Sequence, residues 1–356
     1  MELEARCGTT AMGIMPHTDV EKAMELALGL DIPYWPQLPN VSFNEDMYVQ
    51  TSENFPGITV DRENQRILFS TLAFEEEVPA YSEKMELPET FALGSDYSAV
   101  YRRFLDEEYS GYRAIRGQVT GPVSFGFKVA DENSRPIIYD DGIRTLLFDF
   151  IRRKADRQYR ELVKKNGNAF VWLDEPGMGW VFSSLSGYND VRAKEDYRSF
   201  LADMEDPRAM HLCANVGLPY LLELGLEVLS FDTYQMEAMP GAYAEAVAGF
   251  MAGGGIVCWG IVPTDSAGLG RETPAGLVDR LSSYWEIVSH KGGPDLKRIA
   301  ELSLVSPARC CLRNIDMVDA DHEISGGPST IEERLVERAF DFLHEVSRML
   351  IAKYCP

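Results

Sequence analysis

The feature that most constrains this chain is an alternation. Eight short apolar runs rich in β-branched and aromatic residues recur along its 356 residues, each followed by a longer segment with helical periodicity. The runs are Thr9 to Met15, Ile32 to Gln37, Ala114 to Val119, Ala169 to Leu173, Ala209 to Cys213, Val228 to Phe231, Gly255 to Trp259 and Leu302 to Val305. Helix-like stretches such as DVEKAMELALGL and AYAEAVAGFMAGG lie between them, the second closing on glycine as many helices do. Strands separated by helices assemble as a parallel sheet. Eight such units match a closed (β/α)8 TIM barrel, whereas an open doubly wound sheet usually has fewer strands and a glycine-rich first turn, absent here. The predicted fold is therefore an α/β barrel. No repeat, low-complexity tract or Pro/Gly/Ser-rich linker marks a boundary, so residues 1–356 are expected to form a single barrel domain. The stretch GITVDRENQRILFSTLAF predicts a hairpin excursion at 58–75, between the second and third strands and over part of the barrel mouth.

Charge narrows the partners. With 34 Lys and Arg against 56 Asp and Glu, the formal charge of −22 repels phosphate backbones and anionic membrane surfaces, so no nucleic acid or membrane partner is expected. No apolar run is long enough to span a bilayer, and MELEARCG has glutamates where a secretory signal would be basic, so the expected compartment is the cytoplasm. Six cysteines (Cys7, Cys213, Cys258, Cys310, Cys311 and Cys355) are too few for a disulfide framework and read as thiols or metal ligands.

In a barrel enzyme the chemistry sits at the C-terminal ends of the strands. Here those ends carry Met15-Pro16-His17, Gln118-Val119-Thr120, Asp174-Glu175-Pro176, His211-Leu212-Cys213, Asp232-Thr233-Tyr234, Trp259-Gly260 and Cys310-Cys311. His211 and Cys213, two apart in a strand, point to one face, so imidazole and thiolate can converge on one ion. An isolated His-x-Cys is more often a buried histidine beside a core cysteine. Its company alters that reading, because Asp232 ends the next strand and Cys310-Cys311 the last. Such a nitrogen, sulfur and oxygen donor set suits zinc. Gln118 and Trp259 stand as candidate substrate contacts, and His17 as a residue that either reaches substrate or caps the following helix.

The ordered segments GIMPHTD, IPYWPQLPN, RGQVTGPVSFG, VWLDEPGMG, MHLCANVG, LSFDTY, CWGIVPTD and SLVSPARCCL span nearly the whole chain. Together they resemble the catalytic barrel of cobalamin-independent methionine synthase, in its short single-barrel form, within the superfamily that includes uroporphyrinogen decarboxylase and the corrinoid-dependent thiol methyltransferases. The resemblance implies zinc held by His211, Cys213, a carboxylate at Asp232, and Cys310. SPARCCL has one residue more than the family segment; counted back from Leu312 the ligand is Cys310, whereas counted from Pro307 it would be Arg309, which cannot bind zinc. Asp174 matches the aspartate that holds the amino group of homocysteine, with Glu175 beside it. Gly13-Ile14 stands where the family has Gly-Ser at the substrate site.

The implied activity is a zinc-dependent thiol S-methyltransferase, with a small-molecule thiol as acceptor and homocysteine favoured. One barrel has no second to complete a folate cleft, so methylcobalamin, carried on a corrinoid protein, is the expected donor. Two rivals follow from the same residues. A uroporphyrinogen decarboxylase would need arginines for its polyanionic substrate, and the early strand ends here have none. A zinc-binding corrinoid-handling protein without turnover would fit the missing serine and the altered SPARCCL segment.

Overall fold

The computed structural model describes residues 3–205, 207–213, 217–311 and 328–356. Among the described residues nine strands form: β1 (Gly8–Thr9), β2 (Ile58–Asp61), β3 (Arg66–Phe69), β4 (Ile115–Thr120), β5 (Ala169–Asp174), β6 (Ala209–Leu212), β7 (Val228–Asp232), β8 (Ile256–Val262) and β9 (Ser303–Pro307). Seven of them make one parallel sheet in the order β1-β9-β8-β7-β6-β5-β4. The gap between β1 and β4 is filled by residues 32–37. Ile32 N–H bonds Thr9 O at 3.0 Å, Arg116 N–H bonds Pro33 O at 3.0 Å, and bridges join Ile14 to Gln37 and Tyr34 to Arg116. The ring thus closes with eight staves. The second stave is not a regular strand because Pro33 and Pro36 lack the amide protons a ladder needs.

The chain is therefore a TIM-type barrel, as the alternation implies. The excursion between the second and third staves is shorter as a hairpin than the sequence suggests. Antiparallel β2 and β3 pair from Ile58 with Phe69 to Asp61 with Arg66. After Phe69 the chain turns helical, Ser70 capping the helix Thr71–Lys84 through its hydroxyl on Ala73 N–H, so residues 71–75 are not strand. A serine cap followed by Thr-Leu-Ala-Phe-Glu-Glu outweighs the β-rich look of that segment. Phe69 packs on Phe55, which meets Phe125 of the helix Pro122–Lys128, so the excursion sits beside the C-terminal end of β4.

The helices that follow the strands cover the outside of the barrel with apolar faces; Asp141–Leu162 buries Leu147, Phe150, Ile151 and Ala155. Close approach is enforced at Gly117, where any Cβ would meet Gln158 Oε1 at 1.7 Å. Among the described residues, no helix is long and apolar enough to cross a membrane.

Candidate functional site

Alternation along the strands puts every second residue inside the barrel. The interior layer is polar. Arg116 of β4 lies fully buried over the Trp172 ring at 3.9 Å and the Tyr34 ring at 4.8 Å. Its Nε donates to Thr10 Oγ1 at 3.1 Å, and Nη1 to Gln118 Oε1 at 3.0 Å. Trp172 stacks on His211 with centroids 5.6 Å apart and planes 19° from parallel. His211 Nδ1 meets Ser230 Oγ at 2.9 Å, and Cys258 bonds Ser230 and Ser306 to complete the ring.

Above this layer, at the C-terminal ends, lie the residues singled out from sequence. His211 Nε2 and Cys213 Sγ are 2.7 Å apart. The backbone N–H of Cys310 bonds the Cys213 sulfur, and the charges of Cys310, Asp174 and Asp232 all bear on it. Burial, first, and those anionic neighbours push the Cys213 thiol well above its ordinary range. Burial, with Arg116 adding to it, lowers His211 to about 3, so the imidazole is neutral and its lone pair is available at neutral pH. Cys311 is buried and its thiol raised by burial, whereas Cys310 is half-exposed and borders Cys213, which favours Cys310 of the vicinal pair.

The donors fit zinc in kind: a neutral imidazole, thiols and carboxylates at one level of the barrel. A thiolate crowded by anions in a buried site is also a group that a cation would stabilise. In arrangement they are not drawn together, since among the described residues no group of three or more His, Cys, Asp or Glu side chains is placed to hold a metal. Tetrahedral zinc with bonds of about 2.0 and 2.3 Å would set nitrogen and sulfur about 3.5 Å apart, so the His211–Cys213 contact would have to open. Residues 214–216 and 312–327, which flank two of the donors, lie outside the described residues, and so does Leu312 of the alignment argument.

Asp174 ends β5, inward-facing and 8% exposed, with Oδ1 lacking any hydrogen-bond partner. Burial raises its carboxyl to about 7, against the pull of Arg116. Asp232 is half-buried at the end of β7, its Oδ1 accepting the Gln235 N–H at 3.2 Å. Burial raises this carboxyl too. Gly13 lies against Gln118, whose amide carbon a Cβ would meet at 2.7 Å, and Ile14 is half-buried beside it.

The structure corrects several expected contacts. Glu175 is fully buried, its oxygens accepting the backbone N–H groups of Val123 and Ser124, the Ser124 hydroxyl and the Tyr197 hydroxyl. It anchors the start of the helix Pro122–Lys128 and has no oxygen to spare for substrate. Trp259 points outward, its Nε1 on Ser303 Oγ at 2.9 Å and its ring 6.3 Å from Trp285 of the outer helix Pro274–His290. Next to the inward-facing Cys258 in β8, it falls on the outer face by alternation. Gln118 faces inward but is committed to the wall, its Nε2 on Trp35 O at 2.7 Å. His17 does not cap a helix; Asp19 does, through Glu21 and Lys22 N–H. The His17 ring is fully buried, lowered chiefly by burial, and bonded through neither nitrogen.

Arg116 was the residue least visible in the sequence. Its signal is a charged residue inside an otherwise apolar strand, at i−2 from Gln118 and i−4 from Thr120 on the inward face. Cys258, one position from Trp259, faces the interior for the same reason.

No sequence profile of a known protein family matches the chain, nor does any curated protein sequence. Among solved structures, it is similar to a B12-independent methionine synthase from Shewanella sp. W3-18-1 in complex with selenomethionine. The TM-score is 0.52 at 12% identity, over 94% of this chain and 89% of that one. A methyltransferase from Methanosarcina mazei aligns with TM-score 0.47 at 13% identity, over 96% and 95% of the two chains. At such identity the first likeness is one of fold: the chain shares the barrel architecture of that structure.

Proposed function

We propose that the chain is a methyltransferase that passes a methyl group to a small-molecule thiol, with homocysteine the favoured acceptor, at a zinc site in the barrel mouth. The observation that carries this reading is the inward, neutral His211 in contact with Cys213, with Cys310, Asp174 and Asp232 around them. The barrel shared with a methionine synthase supports the class of reaction. His211, Cys213 and Cys310 would hold the ion, with Asp232 as the fourth donor.

When bound there, zinc would lower the pKa of an incoming thiol so that it reacts as a thiolate at neutral pH. The rest is done by the chain. Ser230 accepts or donates at His211 Nδ1 and so fixes the ring with Nε2 toward the mouth. Trp172, stacked on the same ring, holds its plane. Asp174 offers an unpaired, buried oxygen for an ammonium group, which favours an amino-acid thiol. Arg116 beneath it supplies a fixed positive charge that favours the carboxylate form.

Methylcobalamin on a corrinoid protein is the proposed donor. A methylated folate is the competing donor, because the Shewanella protein with the similar barrel is B12-independent. The test is metal analysis followed by turnover. Purified protein should carry about one zinc per chain, and His211→Ala and Cys213→Ser should lose it. Methylcobalamin and a methylated folate are then offered in parallel with homocysteine, coenzyme M and other thiols. Full zinc retention in both variants would refute the site, and absence of S-methyl product from every pairing would refute the activity.

A further inference from the structure

Two opposite charges lie inside this barrel without forming an ion pair. Arg116 is fully buried, and its hydrogen bonds all go to neutral groups: Nε to Thr10 Oγ1 at 3.1 Å, and Nη1 to Gln118 Oε1 at 3.0 Å and Gly117 O at 3.3 Å. Nη2 has no acceptor. On the next strand the Trp172 indole N–H lacks an acceptor too, and Asp174 Oδ1 lacks a donor. We propose that Arg116 Nη2, with the Trp172 N–H beside it, binds the α-carboxylate of the acceptor thiol while Asp174 takes its ammonium, which makes the site specific for a zwitterionic amino acid. This rests on the reading of an amino-acid thiol as acceptor.

Register sets the spacing of the two charges. β4 pairs with β5 so that Arg116, Gln118 and Thr120 stand opposite Phe170, Trp172 and Asp174, all at inward positions. The backbone of Arg116 is two inward steps below Asp174, but its side chain climbs. Nη1 reaches the Gln118 amide, and the guanidinium covers the Trp172 ring at 3.9 Å. The charged end therefore lies about one inward step, roughly 7 Å, below the carboxyl. That is too far for direct pairing. It is a span that an α-ammonium and an α-carboxylate, about 3 Å apart on one carbon, bridge with a charge-assisted hydrogen bond of about 2.8 Å at each end.

The chemistry of the two ends agrees with this. A buried guanidinium with no counter-ion is costly, and a carboxylate placed on its free N–H groups removes that cost. Burial lowers Arg116 only to about 10, so it stays charged at neutral pH. Its position is fixed by the Thr10 and Gln118 bonds and by the Trp172 and Tyr34 rings, the second at 4.8 Å, so little ordering is left to be done on binding. The anchor also aims the rest of the molecule. Asp174 is in register with His211 on β6, so an amino acid held between β4 and β5 extends its thiol arm toward His211 and Cys213.

The experiment is calorimetric titration of the zinc-loaded full chain with homocysteine and with its decarboxylated analogue, which keeps the thiol and the amine. The parent protein should bind the analogue roughly ten- to a hundredfold more weakly than homocysteine. Arg116→Met, checked for folding by circular dichroism, should bind the two alike, and Arg116→Lys should restore part of the preference. Trp172→Phe, which removes only the N–H donor and keeps a ring, should reduce the preference, and it stands in if Arg116→Met does not fold. Equal binding of both ligands by the parent protein overturns the carboxylate subsite and leaves the thiol site standing. An undiminished preference for homocysteine in Arg116→Met overturns it as well. Absence of binding by either ligand overturns the amino-acid thiol reading and the subsite with it.

Discussion

Replacing Asp174 with asparagine should stabilise the protein while weakening its hold on an amino-acid thiol. The carboxyl lies inside the barrel, Oδ1 has no partner, and burial raises it from the ordinary 3.8 to about 7 despite Arg116 nearby. A carboxyl raised in the folded state binds its proton more tightly there than in the unfolded chain. This group's contribution to folding stability is therefore greatest below about pH 4, falls as pH rises toward 7, and levels off above that. At pH 8 the cost of keeping this group ionised is at most about 4 kcal/mol, at 1.36 kcal/mol for each tenfold change in proton affinity. Asp174→Asn removes that cost. Loss of the attraction to Arg116 is already contained in the net value, because the carboxyl stays raised with Arg116 in place. Urea unfolding of both proteins at pH 4, 6 and 8 tests the reasoning. The variant should gain nothing at pH 4 and progressively more toward pH 8. A variant less stable than the parent at pH 8, or a difference that does not change with pH, would refute it.

The same substitution should weaken homocysteine binding by about 1.5–3 kcal/mol, roughly ten- to a hundredfold, and leave a thiol without an ammonium nearly unaffected; equal weakening of both, measured by calorimetry, would refute the amino-group contact. X-ray absorption at the zinc edge should gain a sulfur scatterer when the acceptor thiol is added, and an unchanged sulfur count with every thiol would count against direct binding. Glu175→Ala should destabilise by about 3–5 kcal/mol, since it strands two buried N–H groups and the Ser124 and Tyr197 hydroxyls, and denaturant unfolding measures it. Trp259→Phe should lower stability without changing the KM for the thiol, because its ring packs on Phe231 and Trp285 outside the barrel.

The amino-acid order by itself determined the barrel. Eight apolar runs separated by helical segments leave little choice, because parallel strands need crossovers and eight right-handed units close on themselves. It also determined that His211 and Cys213 share a face, which follows from the two-residue period of a strand and the two-residue spacing of the motif. The same period carried the register of Asp174 with Trp172 and of Asp232 with Ser230. What it left open is whatever depends on which side of a strand end the chain turns. Trp259 and Cys258 are neighbours in sequence, yet one lies outside the wall and the other inside, and the placement of β8 between β7 and β9 settles it. Glu175 reads as a partner of Asp174, but the helix Pro122–Lys128, more than fifty residues upstream, takes both its oxygens. The segment after Phe69 passed from strand to helix through its Ser70 cap. Arg116 became the floor of the site, and Cys7 met Ser347 of the long last helix, only because closing the barrel brings distant strands and that helix together. Periodicity is local and survives in the sequence, whereas the partner of a buried charge is decided by closure of the ring.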